Sequence, residues 1–371
     1  MRWPGGLRET RVSDLRVEHV AGKSRACALV DGERLWYTCD DAELTAAPEA
    51  FGSWLLLPAM HNRRRLSIEK PVSSTWLRNM STLSSRWSEW WKYKPAEIDA
   101  ATRQDDEPAA SDYALGFSCG VDSFHALFTG EKPDLLVAIQ GFDISLDDEF
   151  RMMAFASSVD AVAKEMGIRW TIVRTNLRKH RSAGRPRLWE RSHGGALASV
   201  AHVLGNRAGR FGVAATYGHT NQHAWGSTLE TDPLFSSDRV RVEHIGASAH
   251  REQKIRFLAD NELAQSHLRV CWANLSRSGN CSRCGKCLAT MLLLAELGAL
   301  DRFTVFSGTS SLPAALDALP YLKANINIID RLVKRATVPS NIGEAAGRLV
   351  VRSRRAARVR KLRGYVERPI R

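Results

Sequence analysis

From residue 111 onward, short apolar runs alternate with longer amphipathic ones, and this rhythm restricts the fold more than any other feature of the chain. "YALGF", "DLLVAIQGF", "RWTIVRTN" and "RFGVAATYG" read as strands. "VDSFHALF", "DDEFRMMAFASSVDAVAKEMG", "GGALASVAHVLGN" and "SAHREQKIRFLADN" read as helices. Strands separated by helices pair in parallel, because strands running the same way need a long crossover, and the crossovers cover both faces. The predicted class is therefore α/β, with a doubly wound parallel sheet. Ligands of such sheets bind beyond the carboxyl ends of the strands. The loops after "YALGF", "LVAIQ" and "VAATY" are where chemistry is expected.

The flanks read differently. In residues 1–110, "RVSDLRVEHV", "SRACALVDG" and "RLWYTCD" alternate apolar and polar positions and predict a small antiparallel sheet. Trp76, Met80, Leu83, Trp87 and Trp90 then recur at helical spacing, and such a stripe packs a helix onto its own sheet or a partner. The polar stretch "TRQDDEPAASD" predicts a linker, so the expected domains are 1–110 (α+β), 111–300 and 301–371, the last a helical extension. Net charge is +13, and the segment from Arg348 to Arg371 holds ten Lys/Arg against Glu367 alone. A basic tail attracts polyanions, but no RNA-binding motif accompanies it, and a solvated helix end is the favoured reading. No apolar run approaches the roughly 18 residues of a membrane helix, and "MRWPGGLRETR" lacks a secretion signal. A cytoplasmic protein without membrane contact is expected.

"GFSCGVDSF", from Gly116 to Phe124, admits two readings. As G-x-S-x-G it is a nucleophile elbow with Ser118 as the attacking hydroxyl. As S-x-G-x-D-S it is a phosphate-gripping loop. Gly120 lets the backbone approach an anion, Ser118 and Ser123 offer hydroxyls, and N–H groups at the helix start point outward. Asp122 beside a phosphate calls for Mg²⁺ between them. The phosphate reading accounts for more residues. "SCGVDS" resembles the S-G-G-x-D-S loop of the PP-loop ATP pyrophosphatases, the adenine nucleotide alpha-hydrolase superfamily. The resemblance implies that Ser118, Cys119, Gly120, Val121, Asp122 and Ser123 bind ATP. It also implies cleavage to AMP and pyrophosphate, with adenylation of an acceptor. Cys119 stands where that loop carries glycine.

Cys271, Cys281, Cys284 and Cys287 follow the spacing C-x9-C-x2-C-x2-C. Four thiolates make a closed tetrahedral Zn²⁺ site, which is structural because no position stays open. An iron–sulfur cluster also takes four thiolates, but no other redox motif accompanies these. A PP-loop followed by this cysteine pattern resembles the 7-cyano-7-deazaguanine synthases, the QueC-like enzymes, over about half of the chain. "IQGFDISLDDEF" lies where those enzymes carry their adenine-side segment, which nominates Gly141 and Phe142 for ATP. "WGSTLETDPLFSS" and "REQKI" resemble a divergent, extended group of that family, and nominate Ser227, Asp232, Arg251 and Lys254. Some members of that group belong to bacterial anti-phage systems and are implicated in joining a deazaguanine to a partner protein.

By residue chemistry, Lys254 would neutralise pyrophosphate or an acyl phosphate, with Arg251 one helical turn earlier. Arg191 and His193 in "RSHGGA" read as preceding a helix N-terminus, where an anion binds. Tyr217 and His219 follow a strand and are nominated to line a substrate pocket. Asp122, Ser123 and Lys254 are the catalytic candidates. The expectation is an ATP- and Mg²⁺-dependent, AMP-forming ligase-like enzyme acting on a small-molecule or protein carboxylate, with residues 1–110 as the partner-binding segment. Two rivals remain at this point: a tRNA-thiolating enzyme with Cys119 carrying sulfur, and a non-catalytic nucleotide-binding subunit.

Overall fold

The computed structural model describes residues 8–104, 109–184, 186–322 and 326–362. The chain divides into two compact units. The first comprises residues up to Ser118 and His125–Arg251. The second comprises Cys119–Phe124 and the chain from Glu252 onward.

The first unit is built on one ten-stranded sheet. Its amino-terminal part runs β1 (Glu9–Val20), β2 (Lys23–Val30), β3 (Glu33–Cys39), α1 (Pro48–His61), β4 (Arg65–Ile68), β5 (Val72–Ser73), α2 (Ser74–Trp91), β6 (Ile98–Asp99) and β7 (Thr102–Arg103). β1, β2 and β3 form the expected antiparallel meander. Asp31 and Gly32 between β2 and β3 both have positive φ, the geometry that lets a two-residue turn follow the strands' twist. In α2 the Ser73 hydroxyl accepts from the Trp76 N–H as N-cap, and Trp76, Met80, Leu83 and Trp87 are fully buried. The tryptophan stripe is core.

The chain continues through β8 (Tyr113–Gly116), α3 (Val121–Thr129), β9 (Leu135–Gln140), α4 (Glu149–Met166), β10 (Arg169–Thr175), α5 (Pro186–Val203), β11 (Arg210–Ala214) and β12 (Arg241–Ile245). These strands pair in parallel in the order β12-β11-β8-β9-β10. The order reverses between β8 and β11, so a topological switch point opens at their carboxyl ends. The segment holding Phe117 and Ser118 leaves β8 there, and the segment leading to Tyr217 leaves β11 there.

Residues 1–110 do not stand apart as their composition suggests. β3 pairs antiparallel with β10 and carries the meander onto the edge of the parallel sheet. α1 lies against α5 so closely that a Cβ on Gly195 would sit 2.3 Å from the Ser53 carbonyl oxygen. α1, β12 and the short strands β4 to β7 escaped the sequence reading. α1 is apolar nearly all round and contains Pro58, which hides its helical period. β12, "RVEHI", alternates regularly but sits in a stretch dense in charge.

The second unit is helical: α6 (Arg251–Leu258), α7 (Glu262–His267), α8 (Gly285–Glu296), α9 (Leu312–Ala318), α10 (Ile326–Arg335) and α11 (Ser340–Leu362). α8 is the predicted apolar helix and ends before Gly298 at positive φ. Part of the expected basic tail, residues 363–371, lies outside the described residues.

The α1–α5 contact generates a prediction. Gly195→Ala drives a methyl into backbone, an overpacking that costs about 1–3 kcal/mol, and calorimetry should show a melting transition lowered by several degrees. Gly347→Ala, whose Cβ would meet only Val333 at 3.7 Å, should leave the melt unchanged or raise it. Equal behaviour of the two would show that the close approach is not real.

Candidate functional site

The cysteines come together as the sequence requires. The four Sγ atoms lie within 4.8 Å of one another. Individual separations are 3.9 Å for Cys271–Cys284, 3.9 Å for Cys281–Cys287 and 3.5 Å for Cys284–Cys287. A tetrahedron with Zn–S bonds of about 2.3 Å has edges of about 3.8 Å, so the cage fits one ion. The thiolates of an iron–sulfur cluster bind different irons and stand farther apart. The cage also has its own support. The Asn280 side chain accepts from the Val270 and Cys271 N–H groups and donates to the Leu268 carbonyl, which fixes the segment after α7 that supplies Cys271. The thiols are within hydrogen-bond reach of one another. Hydrogen bonds from Cys284 and Cys287 hold Cys271 far below the usual thiol range, and those contacts push Cys284 and Cys287 up. Binding of a dication would expel these protons.

Within the second unit the loop Cys119–Phe124 is tied at two points. The Arg269 N–H donates to the Cys119 carbonyl at 2.8 Å, two residues before the first cysteine of the cage. The Lys254 ammonium, fully buried, lies 3.1 Å from Asp122 Oδ1. A buried ammonium needs such a partner, since removing either member costs about 3–5 kcal/mol. Gly120 caps α3, and its N–H donates to the Ser123 hydroxyl at 3.0 Å, the return half of a capping box. Cys119 has φ +53°, the left-handed conformation that glycine adopts without strain. This is the position where the resembled loop carries glycine. The thiol is inaccessible, and burial pushes it well above the ordinary range. A sulfur carrier needs a thiolate, so this environment opposes that role. Ser118 is exposed and lacks the positive φ that falls on its neighbour, so the strained elbow that a nucleophilic serine requires is not built at Ser118.

In the first unit the nominated residues fall into two groups. One is a buried polar centre. Asp232 Oδ2 accepts from the Ser227 hydroxyl at 2.7 Å and lies 2.7 Å from His244 Nδ1. All three are buried, and neither Asp232 Oδ1 nor His244 Nε2 has a hydrogen-bond partner among the described residues. His244, on the unforeseen β12, is the member that sequence reasoning missed. The other group is a string of rings at the carboxyl ends of β9 and β11. Phe142 meets Trp189 at 5.1 Å, His193 meets Trp225 at 5.5 Å, and Tyr217 lies 5.8 Å from Trp225 and 4.3 Å from His223. Burial lowers the His193 pKa, with Asp232 opposing, so this imidazole favours its neutral form.

Several nominations end elsewhere. α5 begins at Pro186, so Arg191 and His193 lie inside the helix and not ahead of it. Arg191 donates to the Tyr93 hydroxyl at 2.6 Å and stacks over Trp91 at 5.3 Å, and so ties α5 to the amino-terminal segment. Gly141 has φ +102°, and its backbone presses against the Thr175 carbonyl, where a Cβ would lie 2.0 Å away. Its role in the fold is this close approach to β10. His219 is exposed in a short 3-10 turn. Arg251 opens α6, with Lys254 three residues on. A cavity of about 490 Å³, lined by Thr10, Asp31, Asn62, Arg64, His180 and Arg181 among others, contains none of the nominated residues. No helix among the described residues is long and apolar enough to cross a membrane.

Comparison with known protein families, curated proteins and solved structures finds no match.

The cage is directly testable. Mass spectrometry of the native protein should find one zinc per chain. Cys284→Ser should lose the ion, and acidification should release it from wild type as the thiolates take up protons. A Cys284→Ser protein that keeps full metal content would contradict the four-thiolate assignment.

Proposed function

We propose that this protein is an ATP-dependent, AMP-forming ligase-like enzyme whose phosphate-binding element is the loop Cys119–Ser123. The observation that carries the reading is the fully buried Lys254 at 3.1 Å from Asp122, beside a helix amino terminus. A loop that binds phosphates gains from exposed N–H groups, the positive end of a helix and a cation. Asp122 is the group that would hold Mg²⁺, which supplies charge neutralisation between carboxylate and phosphates. The left-handed Cys119 supports the reading further, because this conformation suits glycine, the residue that the resembled loop carries there. The exit of Phe117 and Ser118 at the switch point of a parallel sheet is where nucleotide loops recur.

The reaction proposed is attack by a carboxylate oxygen on the α-phosphorus of ATP, with pyrophosphate leaving. An amine or ammonia then displaces AMP from the acyl adenylate and forms an amide. Lys254 and the loop N–H groups would stabilise the charge that develops on phosphate oxygens. 7-Carboxy-7-deazaguanine, the acid that the sequence resemblance implies, is the first acceptor to test. Anti-phage defence and protein conjugation rest on the sequence resemblance alone. The inaccessible Cys119 thiol counts against the thiolating alternative.

α-Labelled ATP, Mg²⁺, ammonium and 7-carboxy-7-deazaguanine should yield AMP only when the acid is present, and Asp122→Ala should abolish it. Cys119→Gly should retain AMP formation. Absence of AMP in wild type rejects this substrate, whereas its selective loss in Cys119→Gly would favour sulfur transfer.

A further inference from the structure

The positive charge of this chain is concentrated. The second unit contains 21 Lys/Arg and 10 Asp/Glu, which is +11 of the total +13. From residue 263 to 295 no Asp or Glu occurs, while Arg269, Arg277, Arg283 and Lys286 do. Within that stretch, directly after the metal-binding Cys271, stands Trp272 with 61% of its surface exposed, and Leu275 is 54% exposed. The Lys286 ammonium lies 4.5 Å from the Trp272 ring centroid. This indole is presented by a fixed loop. Asn280 pins its base, Ser276 donates to the Ser278 carbonyl, and Arg283 donates to the Leu275 carbonyl.

Four thiolates on a dication carry a net charge of −2, and nearby cations compensate it. That accounts for the basic residues, but not for an indole left largely exposed among them. An exposed indole in a basic stretch whose own sequence contains no Asp or Glu has one natural complement: a stacked base whose backbone carries phosphates. An acidic peptide would be satisfied by the Arg and Lys side chains and would leave the indole unused. A duplex hides its base faces.

We propose that the cysteine-cage loop of the second unit binds single-stranded nucleic acid, with Trp272 stacking on a base and Arg277 and Lys286 on phosphates. The site is independent of the ATP reading and stands whether or not AMP is formed.

The test is fluorescence anisotropy with the full-length, zinc-loaded protein and labelled oligo-uridylate, oligo-thymidylate and a duplex. Binding to the single strands should weaken with salt. Trp272→Ala should weaken it by about tenfold or more, and Trp272→Phe, which keeps an aromatic face, should restore it. Arg277→Gln with Lys286→Gln should flatten the salt dependence by about 0.7 in log–log slope for each charge removed. Zinc content, measured for each variant, separates loss of the loop's fold from loss of a contact. Three results would overturn the proposal: no binding at low salt, binding indifferent to Trp272, or poly-glutamate bound with the same dependence on Trp272. The second would assign the binding to basic charge alone, and the third to an acidic protein partner.

Discussion

An ammonium group without solvent is tolerable in a protein only against a compensating charge. Lys254 is fully buried and faces Asp122, and much of the second unit follows from this pairing. Asp122 sits in the first turn of α3, where the helix dipole already favours a carboxylate. Lys254 is brought there by α6, so the pair joins segments 132 residues apart in the chain. The loop is held a second time through the Cys119 carbonyl and the Arg269 N–H, immediately before the cysteine cage begins. Asn280 then locks the next two N–H groups. Cage and loop are thus consecutive parts of one hydrogen-bonded construction. An ion held in that cage would therefore also bear on how firmly the Cys119–Ser123 loop is fixed.

Cys119 shows how a side chain is accommodated where the backbone is left-handed. A side chain at φ +53° is strained by about 1–2 kcal/mol, and burial of the thiol offsets part of that. The backbone conformation is retained, the thiol is withdrawn from solvent, and its proton is held. A buried, protonated thiol at this position offers no nucleophile.

Much of this was legible in the sequence, for definite reasons. Cysteine spacing constrains a metal cage almost completely. The strand–helix alternation after residue 111 specified the parallel sheet, and the periodic tryptophans of α2 specified a buried face. What escaped notice depended on tertiary context. α1 is buried on almost every side, so it lacks the amphipathic period by which helices are read. The pairing of β3 with β10, which merges the amino-terminal segment into the main sheet, leaves no local mark. Arg191 looked like an anion ligand, because its commitment to Trp91 and Tyr93 depends on residues about a hundred positions away. His244 could not be matched to Asp232 before β12 was known.

The central claim is that Lys254 and the Cys119–Ser123 loop hold the phosphates of ATP. Calorimetric titration of α,β-methylene-ATP with Mg²⁺ into wild type and Lys254→Met addresses it without requiring an acceptor substrate. Saturable binding by wild type, lost or greatly weakened in a Lys254→Met protein that still melts cooperatively and retains its zinc, is the predicted result. A folded Lys254→Met protein that binds as wild type does, or a wild type that does not bind, would contradict the account.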